Sequence, residues 1–185
     1  RAYNSKFGKD IGLGYGWISS MHTRLEIGTN SQIIVRRLDG RGEPFNCGTK
    51  GTCKGDVDSF LILTKDTSGY TLTHPQGITE RFDTAGRLTT KTYPTSMRVS
   101  YGYNAQGKIA SVTGPFGHAL ALGYDAQGHL TTVTYPDGQM THYDYDAGNN
   151  LVRVTYPDGR FRTYQYENPQ FPHHLTGIID ENGVR

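Results

Sequence analysis

Between Phe82 and Tyr166 the chain alternates apolar and polar residues in short runs, and the runs recur. Phe82, Tyr103, Tyr124, Tyr145 and Tyr166 fall 21 residues apart. Leu88, Ile109, Leu130 and Leu151 follow the anchors by six residues, and Pro94, Pro115, Pro136 and Pro157 follow them by twelve. A fixed period of this length marks a repeat architecture. The copy from Tyr124 to Asp144 reads as two strands and two turns. Thr131, Val133 and Tyr135 alternate on one face, and Tyr143 and Tyr145 continue the two-residue period on the returning strand. Pro136-Asp137-Gly138 supplies a fixed φ, a side chain that bonds its own backbone, and a residue free to take positive φ. This predicts a type I turn closed by a left-handed Gly. Pro157-Asp158-Gly159 repeats it one period later. Asp125-Ala126-Gln127-Gly128 makes the turn at the other end, and Asn149 takes the Gly role after Asp146.

A lone hairpin is marginal in water, so each copy must lean on its neighbours. The expected fold is all-β: repetitive antiparallel 21-residue hairpins in a curved or spiralling sheet, with an amino-terminal β segment. After Tyr166, Asn168-Pro169-Gln170-Phe171-Pro172 is an insertion, beyond which the phase resumes three residues late. Before Phe82 the beat weakens. His74-Pro75-Gln76-Gly77 resembles the proline turn, and Phe60–Leu63 and Ile33–Val35 read as buried strands. A soft boundary near residue 74 divides an amino-terminal β segment, 1–74, from four to five hairpins over 75–185, the last cut short.

Composition supports this class. The 185 residues include 24 Gly, 13 Tyr and 8 Pro, with only 35% hydrophobic residues, which argues against a helical bundle. The longest strongly apolar run, Phe60–Leu63, is far short of a membrane span. Net charge is +2, and the basic residues are scattered apart from Arg36-Arg37, so neither nucleic acid nor a membrane is an expected partner. The start, Arg1-Ala2-Tyr3, has neither an initiator Met nor an apolar signal core and reads as a piece of something larger.

Candidate chemistry is sparse. Cys47 and Cys53 flank small residues that let the loop close as a disulfide in an oxidising compartment, and the sequence leaves that pairing open. No further Cys or His stands at zinc-ligand spacing, so no metal or cofactor is expected. Gly12, Gly14 and Gly16 lack the strand and helix of a dinucleotide loop and read as turn or bulge glycines beside Trp17. Asp125, Asp137, Asp146 and Asp158 all occupy turn positions where a carboxylate has a local backbone role. His173-His174, on a strand, would point to opposite faces. No Ser or Cys sits in a nucleophile's context, so catalysis is not expected.

The Tyr-Asp anchor, the Gly-x-Leu after it and the Tyr-Pro-Asp-Gly turn resemble the RHS/YD-repeat family. Phe82-Asp83, Tyr103-Asn104 and Tyr166-Glu167 vary the anchor pair. The first segment, Tyr3-Asn4-Ser5, Gly12 to Trp17 and Arg24-Leu25, resembles the stretch that opens the repeat region of bacterial RHS proteins. The resemblance implies a large exported or cell-surface bacterial protein whose repeats form a hollow β-shell around a carboxyl-terminal toxin used in interbacterial competition. The partners it implies are the rest of that polypeptide and the enclosed toxin.

The tyrosine series has two readings. Exposed, the rings would stack on sugars and make a carbohydrate-binding surface; buried, they are core. Placement opposite Val133 and Val154 favours burial, and a glycan contact by solvent-facing Thr, Arg and Gln stays open. An open sheet also has unpaired edges, from which self-association is expected.

Overall fold

The computed structural model describes residues 1–36, 41–56 and 58–185. Arg37 of the basic pair lies outside the described residues. Helix among the described residues is confined to one 3-10 turn, Ser20–His22.

The strands are short. β1 (Ala2–Tyr3) pairs with β2 (Trp17–Ile18), and β3 (Leu25–Ile27), β4 (Gln32–Arg36) and β5 (Gly42–Asn46) form a three-stranded sheet. The remainder form one antiparallel sheet: β6 (Gly51–Thr52), β7 (Ile62–Asp66), β8 (Gly69–Thr73), β9 (Thr79–Phe82), β10 (Leu88–Thr92), β11 (Arg98–Tyr103), β12 (Ile109–Thr113), β13 (Ala119–Tyr124), β14 (Leu130–Thr134), β15 (Met140–Tyr145), β16 (Leu151–Thr155), β17 (Phe161–Gln165) and β18 (Gly177–Ile179). Its 13 strands lie in chain order and do not close on themselves. The fold is thus all-β, built of repeated antiparallel hairpins. The sheet continues across the turn that contains residue 74.

Every strand connection from β8 to β17 is a tight turn, and the turns fall on two rims. The proline rim carries 74–77, 93–96, 114–117, 135–138 and 156–159. In the fourth of these, Gly138 N donates to Tyr135 O at 2.9 Å and Tyr135 N to Gln139 O at 2.8 Å. Gly138 sits at φ 83°, where a Cβ would press on the following carbonyl. The opposite rim carries the turns after each aromatic anchor: 83–86, 104–107, 125–128 and 146–149. After Tyr166 the insertion enlarges the next anchor-rim turn, and Asp180–Gly183 then restores the proline-rim pattern.

Each of the four hairpins closed by a tight anchor-rim turn carries a β-bulge in the same phase. Phe82 pairs with Leu88, Tyr103 with Ile109, Tyr124 with Leu130 and Tyr145 with Leu151, and the ladder then skips one residue. The extra residues are Thr89, Ala110, Thr131 and Val152. A bulge absorbs one step of the two-residue alternation and bends its strand. Leu130 and Val133, three apart, are therefore both buried, while Thr131 is half-buried and Tyr135 is exposed. This corrects the strict alternation read from Thr131, Val133 and Tyr135. A second correction concerns Phe60 to Leu63. Leu61 and Leu63 are buried but Phe60 is 82% exposed, because a strand with one covered face buries only alternate residues.

Two core clusters result. In one, Leu25, Ile33, Val35 and Phe45 of the small sheet meet Leu63, Leu72, Phe82 and Leu88 of the large one. The Cys47–Cys53 disulfide lies buried within this cluster. Cys47 N donates to Ser31 O in the small sheet's hairpin and Cys53 N to Leu63 O in the large sheet, so the bridge clamps the two together. In the other cluster, Leu13 and Trp17 pack on Ile109, Leu130, Leu151 and Val154.

Candidate functional site

The anchor tyrosines form a ladder. The hydroxyls of Tyr103, Tyr124, Tyr145 and Tyr166 donate to the carbonyls of Leu88, Ile109, Leu130 and Leu151 at 2.8, 2.9, 2.9 and 3.1 Å. Each bond spans 15 residues, from one anchor to the leucine or isoleucine that follows the previous anchor. The rings are half-buried, lying over the aliphatic layer, while Phe82 is fully buried. An amphipathic ring keeps its hydroxyl where it finds a partner, which a fully buried position would not guarantee. Burial pushes the phenols of Tyr103, Tyr124 and Tyr166 up to about 12. Burial, followed by the nearby Asp10 carboxylate, pushes Tyr145 up as well.

The turn carboxylates are occupied too. Asp83 Oδ1 accepts from the backbone N–H of Ala85 and Arg87, and Asp146 Oδ1 from Gly148 and Asn150. Their Oδ2 atoms accept from the side chains of Arg87 and Asn150, at 2.7 and 2.9 Å. Asp125 binds His129 through its backbone N–H and its Nδ1. On the proline rim Asp137 accepts from Gln139 N and Asp158 from Arg160 N, both at 3.0 Å. The structure therefore scatters these carboxylates along two rims and assembles no carboxylate pair from them.

Residues 10–25 form a strap along the anchor rim. Asp10 Oδ2 meets His129 Nε2 at 2.9 Å, so His129 is held between two carboxylates with its ring stacked on Tyr145. Leu130 N donates to Gly12 O. Gly14 lies so close to the sheet backbone that a Cβ would stand 2.7 Å from Leu151 N. Trp17 Nε1 donates to the Tyr166 hydroxyl at 2.9 Å, and the strap then returns to pair Leu25 N with Gly86 O. Gly12 and Gly14 thus allow close approach to the sheet backbone, and Gly16 to Tyr3 and Asn4. The insertion after Tyr166 also clasps the amino-terminal strand β1: Tyr3 donates to His173 O, and Leu175 N donates to the Tyr3 hydroxyl. His173 stacks on Tyr15 and His174 on Phe171, both in a loop and not on a strand.

Arg1 reaches the same face. Its guanidinium donates to the Tyr164 hydroxyl and lies 5.7 to 5.9 Å from the rings of Tyr143, Tyr164 and Trp17. Near the other end of the sheet Glu80 is buried between His74 Nε2 at 3.1 Å and Lys91 Nζ at 2.9 Å. Burial pushes its carboxyl up, but the two hydrogen bonds outweigh that and hold it below the usual range. Among the described residues no group of three or more His, Cys, Asp or Glu is placed to hold a metal ion. Sequence reasoning missed the strap contacts and the Glu80 pairing, for which no local signal exists.

With this geometry in view, the class is that of a repetitive β-sheet with a hydrogen-bonded tyrosine spine. The RHS Repeat family profile matches residues 82–119, 124–160 and 148–185, together just over half of the chain. The chain belongs to the RHS repeat family. Residues 1–45 match a family described only as a domain of unknown function, DUF6531. No curated protein matches the chain. Among solved structures, it resembles a chain of the TcdB2-TccC3-Cdc42 crystal structure at 16% identity and a TM-score of 0.43, covering 80% of this chain and 9% of that one. It also resembles the Photorhabdus luminescens Tc holotoxin pore at 17% identity and a TM-score of 0.40, covering 74% of this chain and 8% of that one. The chain thus spans less than a tenth of the length of either.

Proposed function

We propose that the chain is a wall section of a hollow β-shell in a larger exported RHS-type toxin polypeptide, with a containing role and no catalysis of its own. The observation that carries this reading is the tyrosine ladder. It spends the anchor hydroxyls on joining one repeat to the next, as the turn carboxylates are spent on the turns, so the repeated chemistry is structural. Among the described residues the end strands of the large sheet, β6 and β18, pair on one side only, an arrangement compatible with a wall that has further segments beside it. On this reading residues 1–74 open the repeat region, and 75–185 supply the repeats. The enclosed partner is a carboxyl-terminal toxin, and its release serves competition between bacteria. With the anchor hydroxyls donated to the backbone, any carbohydrate contact would fall to exposed ring faces and solvent-facing side chains.

The test is limited proteolysis of the full-length parent polypeptide. Its carboxyl-terminal portion should survive protease in the native protein and be degraded once Tyr124→Ala and Tyr145→Ala break two adjacent rungs. Equal susceptibility in both proteins, or the absence of any carboxyl-terminal domain, overturns the proposal.

A further inference from the structure

The anchor rim is not sealed evenly. The residue after each left-handed turn position recurs with the repeat: Arg87, Lys108, His129 and Asn150. Three of these four side chains bind the Oδ2 of their own turn's Asp, and His129 also binds Asp10 in the strap. The fourth does not. The turn 104–107 carries Asn104 in place of Asp. Asn104 Oδ1 still accepts from the backbone N–H of Gln106 and Lys108, but an amide nitrogen, a donor, stands where the other turns offer a second oxygen. Among the described residues the Lys108 ammonium has no carboxylate, hydroxyl or carbonyl partner.

The strap passes over this turn without closing it. On its outward run the strap rests on the 125–128 turn at Gly12 and beyond it at Gly14 and Trp17; on its return it rests on β12 through the 3-10 turn and on the 83–86 turn at Leu25. Between these contacts it leaves a cleft of about 250 Å³. Lys108, Arg24 and Arg87 line it, with Thr23, Tyr103 and Tyr124. Of these cations Arg87 is already paired with Asp83 at 2.7 Å, and Arg24 stands 3.9 Å from Glu26, which binds Arg36 at 2.8 Å, so Lys108 is the one left without a carboxylate among the described residues.

The Lys108 ammonium lies toward Gly12 and Gly128, where added Cβ atoms would stand 3.2 and 3.3 Å from Nζ. The geometry points to a binding site for the oxyanion group of a small ligand, a carboxylate or phosphate held by Lys108 at the mouth of this cleft. A cationic head on an aromatic floor, in a space smaller than most cofactor pockets, fits one charged group carried on a compact body such as a sugar ring. The site does not depend on the shell reading.

The 185-residue chain is titrated with D-glucuronate, inorganic phosphate and, as a neutral comparison, D-glucose, following amide chemical shifts. Glucuronate should give saturable shifts at Gln106 to Ile109 and at Thr23 and Arg24. Saturation by phosphate as well identifies a general oxyanion site, and saturation by glucuronate alone identifies a sugar acid; either supports the proposal. Lys108→Met should weaken binding about tenfold, and Lys108→Arg should restore it. Asn104→Asp is the discriminating variant. It restores the carboxylate found in the neighbouring turns, ties Lys108 in place, keeps the fold and weakens binding about tenfold. Shifts that fail to saturate with both anions, that glucose reproduces, or that Lys108→Met and Asn104→Asp leave unchanged overturn the proposal.

Discussion

The two rims of the sheet are made of the same turn and live in different surroundings. Gly138 on the proline rim and Gly86 on the anchor rim have nearly equal φ, 83° and 78°. Beyond its own chain neighbours a Cβ on Gly138 would meet nothing within 4 Å, whereas one on Gly86 would stand 2.5 Å from Leu25 O. One rim answers only to its own backbone; the other is also the seat of the amino-terminal strap. The repeat therefore specifies the sheet, and a single non-repeating segment uses one edge of it as a template. Gly107 belongs by sequence to the anchor rim, yet a Cβ there would meet only an Arg87 guanidinium nitrogen, at 3.8 Å, and no atom of the strap.

The largest effect should separate the rims directly. Gly86→Ala combines left-handed strain with a backbone clash and is expected to cost about 4 kcal/mol, against about 1 kcal/mol for Gly138→Ala. Gly107→Ala should behave like the Gly138 variant. Urea unfolding measures all three, and equal losses at Gly86 and Gly138 would show that the strap is not seated on the rim. Replacing Cys47 and Cys53 together with Ser should cost about 2 kcal/mol, the loop-closure entropy of so short a ring. Hydrogen exchange should then rise in β3 to β5 while β12 to β16 keep their protection.

Tyr145→Phe leaves Leu130 O without its donor and should cost about 1 kcal/mol. The ladder also has a pH signature. Folded phenols at about 12, above their ordinary value of 10.0, keep their protons where the unfolded chain loses them. Their contribution is therefore complete below pH 10 and is lost as pH rises from 10 through 12. Melting temperature should fall steeply across that window, and less steeply in a variant with Tyr103, Tyr124 and Tyr166 changed to Phe. The smallest effect belongs to Asp137→Asn, which keeps the oxygen that accepts from Gln139 N; a change under about 0.5 kcal/mol in the same urea series is expected.

The hairpins were legible because their determinants are local: alternation and an even beat act within a few residues of the turn they produce. The bulges were not. Thr89, Ala110, Thr131 and Val152 share no side-chain property, and the extra residue is seen only against its partner strand. Burial over Phe60 to Leu63 is hidden for a related reason, since four apolar residues in a row do not announce which two face inward. The strap was least legible of all. Asp10 meets His129 across 119 residues and Trp17 meets Tyr166 across 149, and nothing around either partner marks the other. Lys108 is distinguished only by the side-chain partners that its three counterparts have in their own turns, which the sequence does not display.

Because each rung of the ladder reaches back the same 15 residues, any internal copy meets its predecessor and successor through identical joints. Gene duplication or loss of a whole unit would thus lengthen or shorten the array without asking any surviving residue to find a new partner. The size of the assembled wall is in this respect a matter of how many times a stretch of coding sequence has been copied, open to revision by recombination in a way that an ordinary globular core is not.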